Sequence, residues 1–87
     1  MGQEKQVDDI ALRSIKLMFE QGEVKRMYDI HKLSPTKIAK ALALNHGRYV
    51  DKLFNPEKFY IKEIRAFSNL IGVNPEVILS VILKELA

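Results

Sequence analysis

The chain reads as an all-α protein, a compact bundle of five or six short helices. Three observations predict this. Apolar residues recur at spacings of three and four, and no convincing run alternates as a half-buried strand would. Gly22, Gly47 and Gly72 and the prolines 35, 56 and 75 sit where that spacing is interrupted. The stretch Leu33 to Asn55, LSPTKIAKALALNHGRYVDKLFN, contains two short amphipathic segments joined by a tight turn, the layout of a helix-turn-helix.

Taken in order, residues 1–7 read as a flexible tail and residues 8–87 as a single domain, with the motif at about 34–55. A first helix is predicted from about Asp8 to Gln21, with Asp8 and Asp9 at the positive end of its dipole. Ile10, Ala11, Ile15, Met18 and Phe19 make its inner face, and Leu12 and Leu17 widen the stripe. Gly22 stops it. One bent helix through Gly22 is the alternative, since an interior glycine costs only ~1 kcal/mol. A second short helical piece spans roughly Val24 to Lys32, with Val24, Met27, Tyr28 and Ile30 as apolar contacts.

The motif follows, in helices near 35–43 and 47–54. Ser34 is read as the N-cap and Pro35 as the first helical residue, where its missing N–H costs nothing. Ile38, Ala39 and Leu42 face inward. The pattern breaks at Leu44-Asn45-His46-Gly47 and resumes with Val50, Leu53 and Phe54 inward and Arg48, Asp51 and Lys52 outward. Asn55-Pro56 ends it, because the residue before a proline is pushed out of helical geometry. After a loop to Tyr60, an amphipathic helix spans about Ile61 to Ile71, with Ile64, Phe67, Leu70 and Ile71 on one stripe. Asn74 caps a last helix, Pro75 to Leu86.

That last helix is apolar over well over half its circumference, and the first is broader than one contact requires. Two readings stand: the terminal helices pack on each other and share one core, or one or both form a homodimer interface.

Composition narrows the class. With 87 residues and 47% apolar content the chain is one domain with one modest core. It has no cysteine, so neither a disulfide framework nor a thiolate metal site is available. No apolar run reaches the ~20 residues of a membrane span. The charged start, MGQEKQVDD, is unlike a secretory signal, and Gly2 lacks the serine or threonine of a myristoylation site. A cytoplasmic protein is expected. The net charge of +3 is uneven: residues 1–33 balance, 34–65 carry seven basic against three acidic side chains, and 66–87 carry one against two. Positive charge thus coincides with the motif, as counterion release on a phosphate backbone would favour.

The residues from Leu33 to Asn55, followed by Ile64 to Leu79, resemble the lambda-repressor-like helix-turn-helix superfamily of Cro and phage repressors. Leu33-Ser34 stand at the entry to the second helix, Ala39 in Ile38-Ala39-Lys40 at the alanine that packs it on the third, and Leu53-Phe54-Asn55 at the end of the recognition helix. Leu70-Ile71-Gly72-Val73 is similar to the leucine–glycine–valine turn downstream. The likeness covers about 50 of the 87 residues. Three departures accompany it: Pro35 replaces a polar phosphate contact, Ala43 replaces the small or glycine residue entering the turn, and Val50 and Leu53 align with the buried pair only if the turn is one residue longer. An extra amino-terminal helix is implied.

The resemblance implies that the third helix, about 47–54, enters the DNA major groove. Asn45, His46, Gly47 and Arg48 open that helix. Arg48 suits a guanine, because its fork pairs with O6 and N7. Asn45 either caps the helix or reaches adenine, and Gly47 serves the turn or a close approach to phosphate. Tyr49 either offers its hydroxyl to phosphate or is half-buried, and Lys52 reaches the groove one turn beyond Arg48. His46 is a phosphate donor or an idle turn residue. Thr36, Lys37, Lys58 and Lys62 are candidate phosphate contacts, which position without specifying sequence. His31 beside Asp29 makes a poor metal or catalytic pair, the two histidines being fifteen residues apart. No nucleophile constellation or phosphate loop is present, so no catalysis, metal, cofactor or small ligand is expected. The expected function is sequence-specific binding of double-stranded DNA by a homodimeric transcriptional regulator. The alternative is a protein-interaction module, antitoxin-like or scaffold, that keeps the fold without DNA binding.

Overall fold

The structure, a computed structural model, describes the backbone of residues 2–87 and the side chains of residues 10–87. It is all-α, as the spacing predicts. Five helices follow in order: α1 Gly2–Glu20, α2 Pro35–Ala41, α3 His46–Phe54, α4 Ile61–Ile71 and α5 Pro75–Leu86. Two 3₁₀ turns, Met27–Ile30 and Pro56–Lys58, fill the gaps before α2 and after α3, and no strand occurs among the described residues. Most of the stretch 1–7, read as a tail, belongs to the backbone of α1, and its side chains lie outside the described residues.

Local chemistry explains most boundaries. α1 ends in a Schellman turn, with Glu23 N donating to Met18 O at 2.8 Å and Gly22 N to Phe19 O at 3.2 Å. Gly22 takes the left-handed φ of 72° that this turn demands, so the chain breaks there instead of bending. The piece expected at Val24 to Lys32 shrinks to the 3₁₀ turn. Its start is set by Asp29, whose carboxylate accepts from the amides of Lys25 and Arg26, each at 3.0 Å. α5 begins on Asn74, whose side chain accepts from Glu76 N at 2.9 Å, and Pro75 follows.

The α2 boundaries differ from expectation. Ser34 precedes the helix, but with φ 47° and ψ 47° its side chain makes no capping hydrogen bond. A hydroxyl that reaches the first-turn amides belongs to extended backbone, not to the left-handed region. The far end repeats the α1 stop without a glycine. Leu44 N donates to Ala39 O at 2.8 Å and Ala43 N to Lys40 O at 3.1 Å, and the left-handed residue between them is Ala43, φ 58°.

α4 is the middle of the bundle, packed on α1, α2 and α5. Ile64, Phe67 and Ile71 are buried along it, and Phe67 meets Phe19 of α1 edge-on, 6.3 Å between centroids at 88°. Leu12 and Ile15 of α1, Ile78 and Ile82 of α5, and Ile38, Ala39, Leu42 and Leu53 of α2 and α3 join it in one core. Each fully buried aliphatic or aromatic side chain contributes about 1.5–3 kcal/mol. Ile10 and Leu17, expected to join the α1 stripe, are exposed. Of the two readings of the terminal helices, the shared core absorbs most of the apolar surface: Val77, Leu79 and Val81 pack partly buried against it. Leu83 and Leu86 remain outside.

Candidate functional site

The α2–α3 unit presents one helix to solvent. Leu42 to Asn45 make a four-residue joint, after which α3 starts on Asn45. The Asn45 side chain accepts from Arg48 N at 2.8 Å, so of its two expected roles the cap is realised. His46, Gly47 and Arg48 are exposed on the opening turn. The Arg48 guanidinium makes no ion pair or hydrogen bond among the described residues. Thr36 is exposed on the first turn of α2, and Lys37 beside it is half-buried.

The inward face of α3 is rotated from the expected one. Tyr49 and Leu53 are fully buried, Val50 is half-buried, and Phe54 is 66% exposed. Spacings of three (50 and 53) and four (49 and 53) are both helical, and the larger side chain at 49 takes the core. Tyr49 therefore cannot offer its hydroxyl to a phosphate. Burial pushes its phenol well above the usual tyrosine range, and the oxygen has no hydrogen-bond partner among the described residues.

Lys52 also departs from expectation. Its ammonium sits 2.7 and 2.9 Å from the two carboxylate oxygens of Glu63, both side chains largely buried. The same carboxylate accepts from Tyr60 N at 2.9 Å, and the Tyr60 ring covers Lys52 Nζ at 4.2 Å from its centroid. The reason is position: Lys52 precedes Leu53 on the flank of α3 that faces the start of α4. It binds α3 to α4 and is withdrawn from the outer surface. The glutamate three residues after Tyr60, at the start of a helix, is the sequence signal for such an acceptor.

Lys58 is exposed but engaged, 3.0 Å from Asp51 Oδ2. Asn55 Nδ2 donates to Asp51 Oδ1 at 3.0 Å. The Lys58 contact, aided by Asn55, lowers the Asp51 carboxyl below the usual aspartate range. An open groove of about 780 Å³ runs between the α2–α3 joint, α3 and the start of α4, with Arg48, Asp51, Lys58, Tyr60 and Lys62 along it. The expected site residues thus divide. Asn45, His46, Gly47 and Arg48 lie together on the first turn of α3, Lys58 and Lys62 line the groove with Arg48, Lys52 lines it with its ammonium held by Glu63, and Tyr49 is buried.

On the other flank, Phe54 meets the Tyr28 ring edge-on at 5.6 Å, and Tyr28 stacks on His31 at 4.0 Å. His31 Nδ1 lies 2.8 Å from Tyr28 O; a carbonyl only accepts, so Nδ1 carries the proton. His31 is thereby part of the connector. Among the described residues no three metal-binding side chains converge, and no helix is long and apolar enough to cross a membrane. Comparison with protein-family models, with characterised proteins and with solved structures finds no match to this chain.

Proposed function

We propose that the chain binds double-stranded DNA with α3 in the major groove, as a small lambda-repressor-like transcriptional regulator acting in the cytoplasm, a binding protein without catalysis. The observation that carries this reading is the open first turn of α3. Asn45 is locked as its cap, Gly47 leaves its surface low, and Arg48 projects without an internal partner. This turn belongs to the segment that concentrates the net positive charge of the chain. Phosphate contacts fall to Thr36, Lys37, His46 and Lys62, with Lys58 beside them; Tyr49 and Lys52 have no place in the interface. A homodimer joined through exposed Leu83 and Leu86 of α5 would present two α3 helices to paired half-sites.

The test is selection of genomic fragments by the purified protein, then a salt titration on an enriched duplex with sedimentation in parallel. A short, roughly palindromic sequence bound more weakly as salt rises is the expected outcome, since displaced counterions set that slope. Replacing Arg48 with alanine should cost about 1–3 kcal/mol on the selected duplex and little on random DNA. Equal losses on both would remove Arg48 from base reading.

A second reading, an interaction module for a protein partner, is favoured by one observation. Lys52 and Lys58 are satisfied within the fold, while Phe54 and Tyr60 are exposed on either side of α3. Retention on DNA that is absent at low salt supports this reading over the first.

A further inference from the structure

The outer face of α3 is not uniformly basic. Asp51 lies two residues after Tyr49 and two before Leu53, which sets it about 180° from the buried line of the helix. Its side chain is half exposed, and Arg48 is its neighbour three residues back on the same surface. A carboxylate there opposes phosphate, so a helix serving only as a basic rod would be better without it. A carboxylate is also an acceptor with no proton to give. In the major groove the exocyclic amino group of cytosine, N4, is a donor that Asp or Glu pairs with.

The surroundings of Asp51 fit that task. Lys58 Nζ on Oδ2 and Asn55 Nδ2 on Oδ1, each at 3.0 Å, hold the carboxylate from both sides. Each oxygen keeps a second lone pair, and the Lys58 charge offsets repulsion from nearby phosphates. The side chain is thus oriented before DNA arrives. Three residues of helix rise cover about 4.5 Å, close to the ~3.4 Å step between stacked bases. With α3 along the groove, Arg48 and Asp51 would be close enough together to reach neighbouring base pairs.

We propose that Asp51 is a specificity-determining residue that accepts from a cytosine N4 amino group, next to a guanine contacted by Arg48, so that the α3 target contains two adjacent G·C pairs. The proposal rests on the DNA-binding reading above. Lys58 acts through Asp51 as a positioning residue.

The test compares fragment selection by the whole wild-type chain, Asp51→Asn, Asp51→Ala and Lys58→Met, with helicity measured on each. The wild type should select two adjacent G·C pairs. Asp51→Asn should change one of them only, with discrimination for cytosine falling on the order of tenfold, because an amide pairs instead with adenine. Asp51→Ala should relax the same position without a new preference. Lys58→Met should blur that position and leave the Arg48 position intact. If both Asp51 variants select the wild-type sequence and merely bind every duplex more tightly, Asp51 is a repulsive charge and the proposal is overturned. If the wild type selects a motif lacking adjacent G·C pairs, the proposal fails while DNA binding stands. If the wild type enriches nothing at low salt, the DNA reading fails and takes this proposal with it.

Discussion

The Tyr49 hydroxyl is buried beside the core without a partner among the described residues, so the ring adds apolar contact while its oxygen forfeits hydration. An unsatisfied buried hydroxyl costs about 1–3 kcal/mol. Tyr49→Phe should therefore raise unfolding stability by ~1 kcal/mol in a denaturant titration; a loss would mean that the oxygen is satisfied after all. The pH dependence has a definite sign. Burial raises the phenol above its unfolded value of about 10. Above that pH the unfolded chain releases a proton that the folded chain retains, so stability falls as pH rises. The phenylalanine variant should lose that component of the alkaline slope. Ala43 and Ser34 hold a second residue-scale tension, since each is left-handed without being glycine, at about 1–2 kcal/mol apiece. Periodicity assigned Ile38, Ala39, Leu42 and Leu53 to the core correctly. It did not separate Val50 from Tyr49, because both satisfy a helical spacing to Leu53 and only packing decides between them.

At the scale of elements, the Lys52–Glu63 pair fixes α3 on α4. Two charges in a largely buried contact stay favourable only while both are present. Lys52→Met should cost about 3–5 kcal/mol by leaving Glu63 uncompensated, and adding Glu63→Met should recover much of the loss. Additive losses in a double-mutant cycle would show that the two side chains are not coupled. This pair explains why part of the candidate site was illegible. Lys52 has the helical phase of a groove contact, and only the neighbouring helix, eleven residues on, turns it inward. Boundaries were far more readable. Asn45, Asn74, Gly22 and Gly72 act on their own backbone neighbourhood, so a linear scan places α3 within a residue and matches the ends of α4 and α5. The connector before α2 is shorter than the helix its sequence predicts because Asp29 ties up two amides ahead of the turn.

At the scale of the whole molecule, the last helix reaches back across the fold. Glu85 Oε1 accepts from Met27 N at 2.9 Å, a bond between residues 58 apart in sequence. Met27 begins the 3₁₀ turn on which α3 packs, and Tyr28 in that turn supports Phe54. Glu85→Ala should lower stability by about 1–3 kcal/mol, since an amide bonded to a charged acceptor loses its partner. Hydrogen exchange should quicken at the Met27 amide; unchanged exchange there would deny the bond its role. No local pattern announces such a link, because a solvent-facing glutamate near a helix end reads the same whether or not a distant amide lies beneath it. The bond has a consequence for how the chain comes into being. On the ribosome the connector and α3 emerge well before residue 85, so α3 waits without its full backing. A chain cut short by one helical turn would carry every residue of the candidate site and still hold α3 on a loosened base. Completion of the last turn of α5 thus firms the base under α3 only once residue 85 has been made.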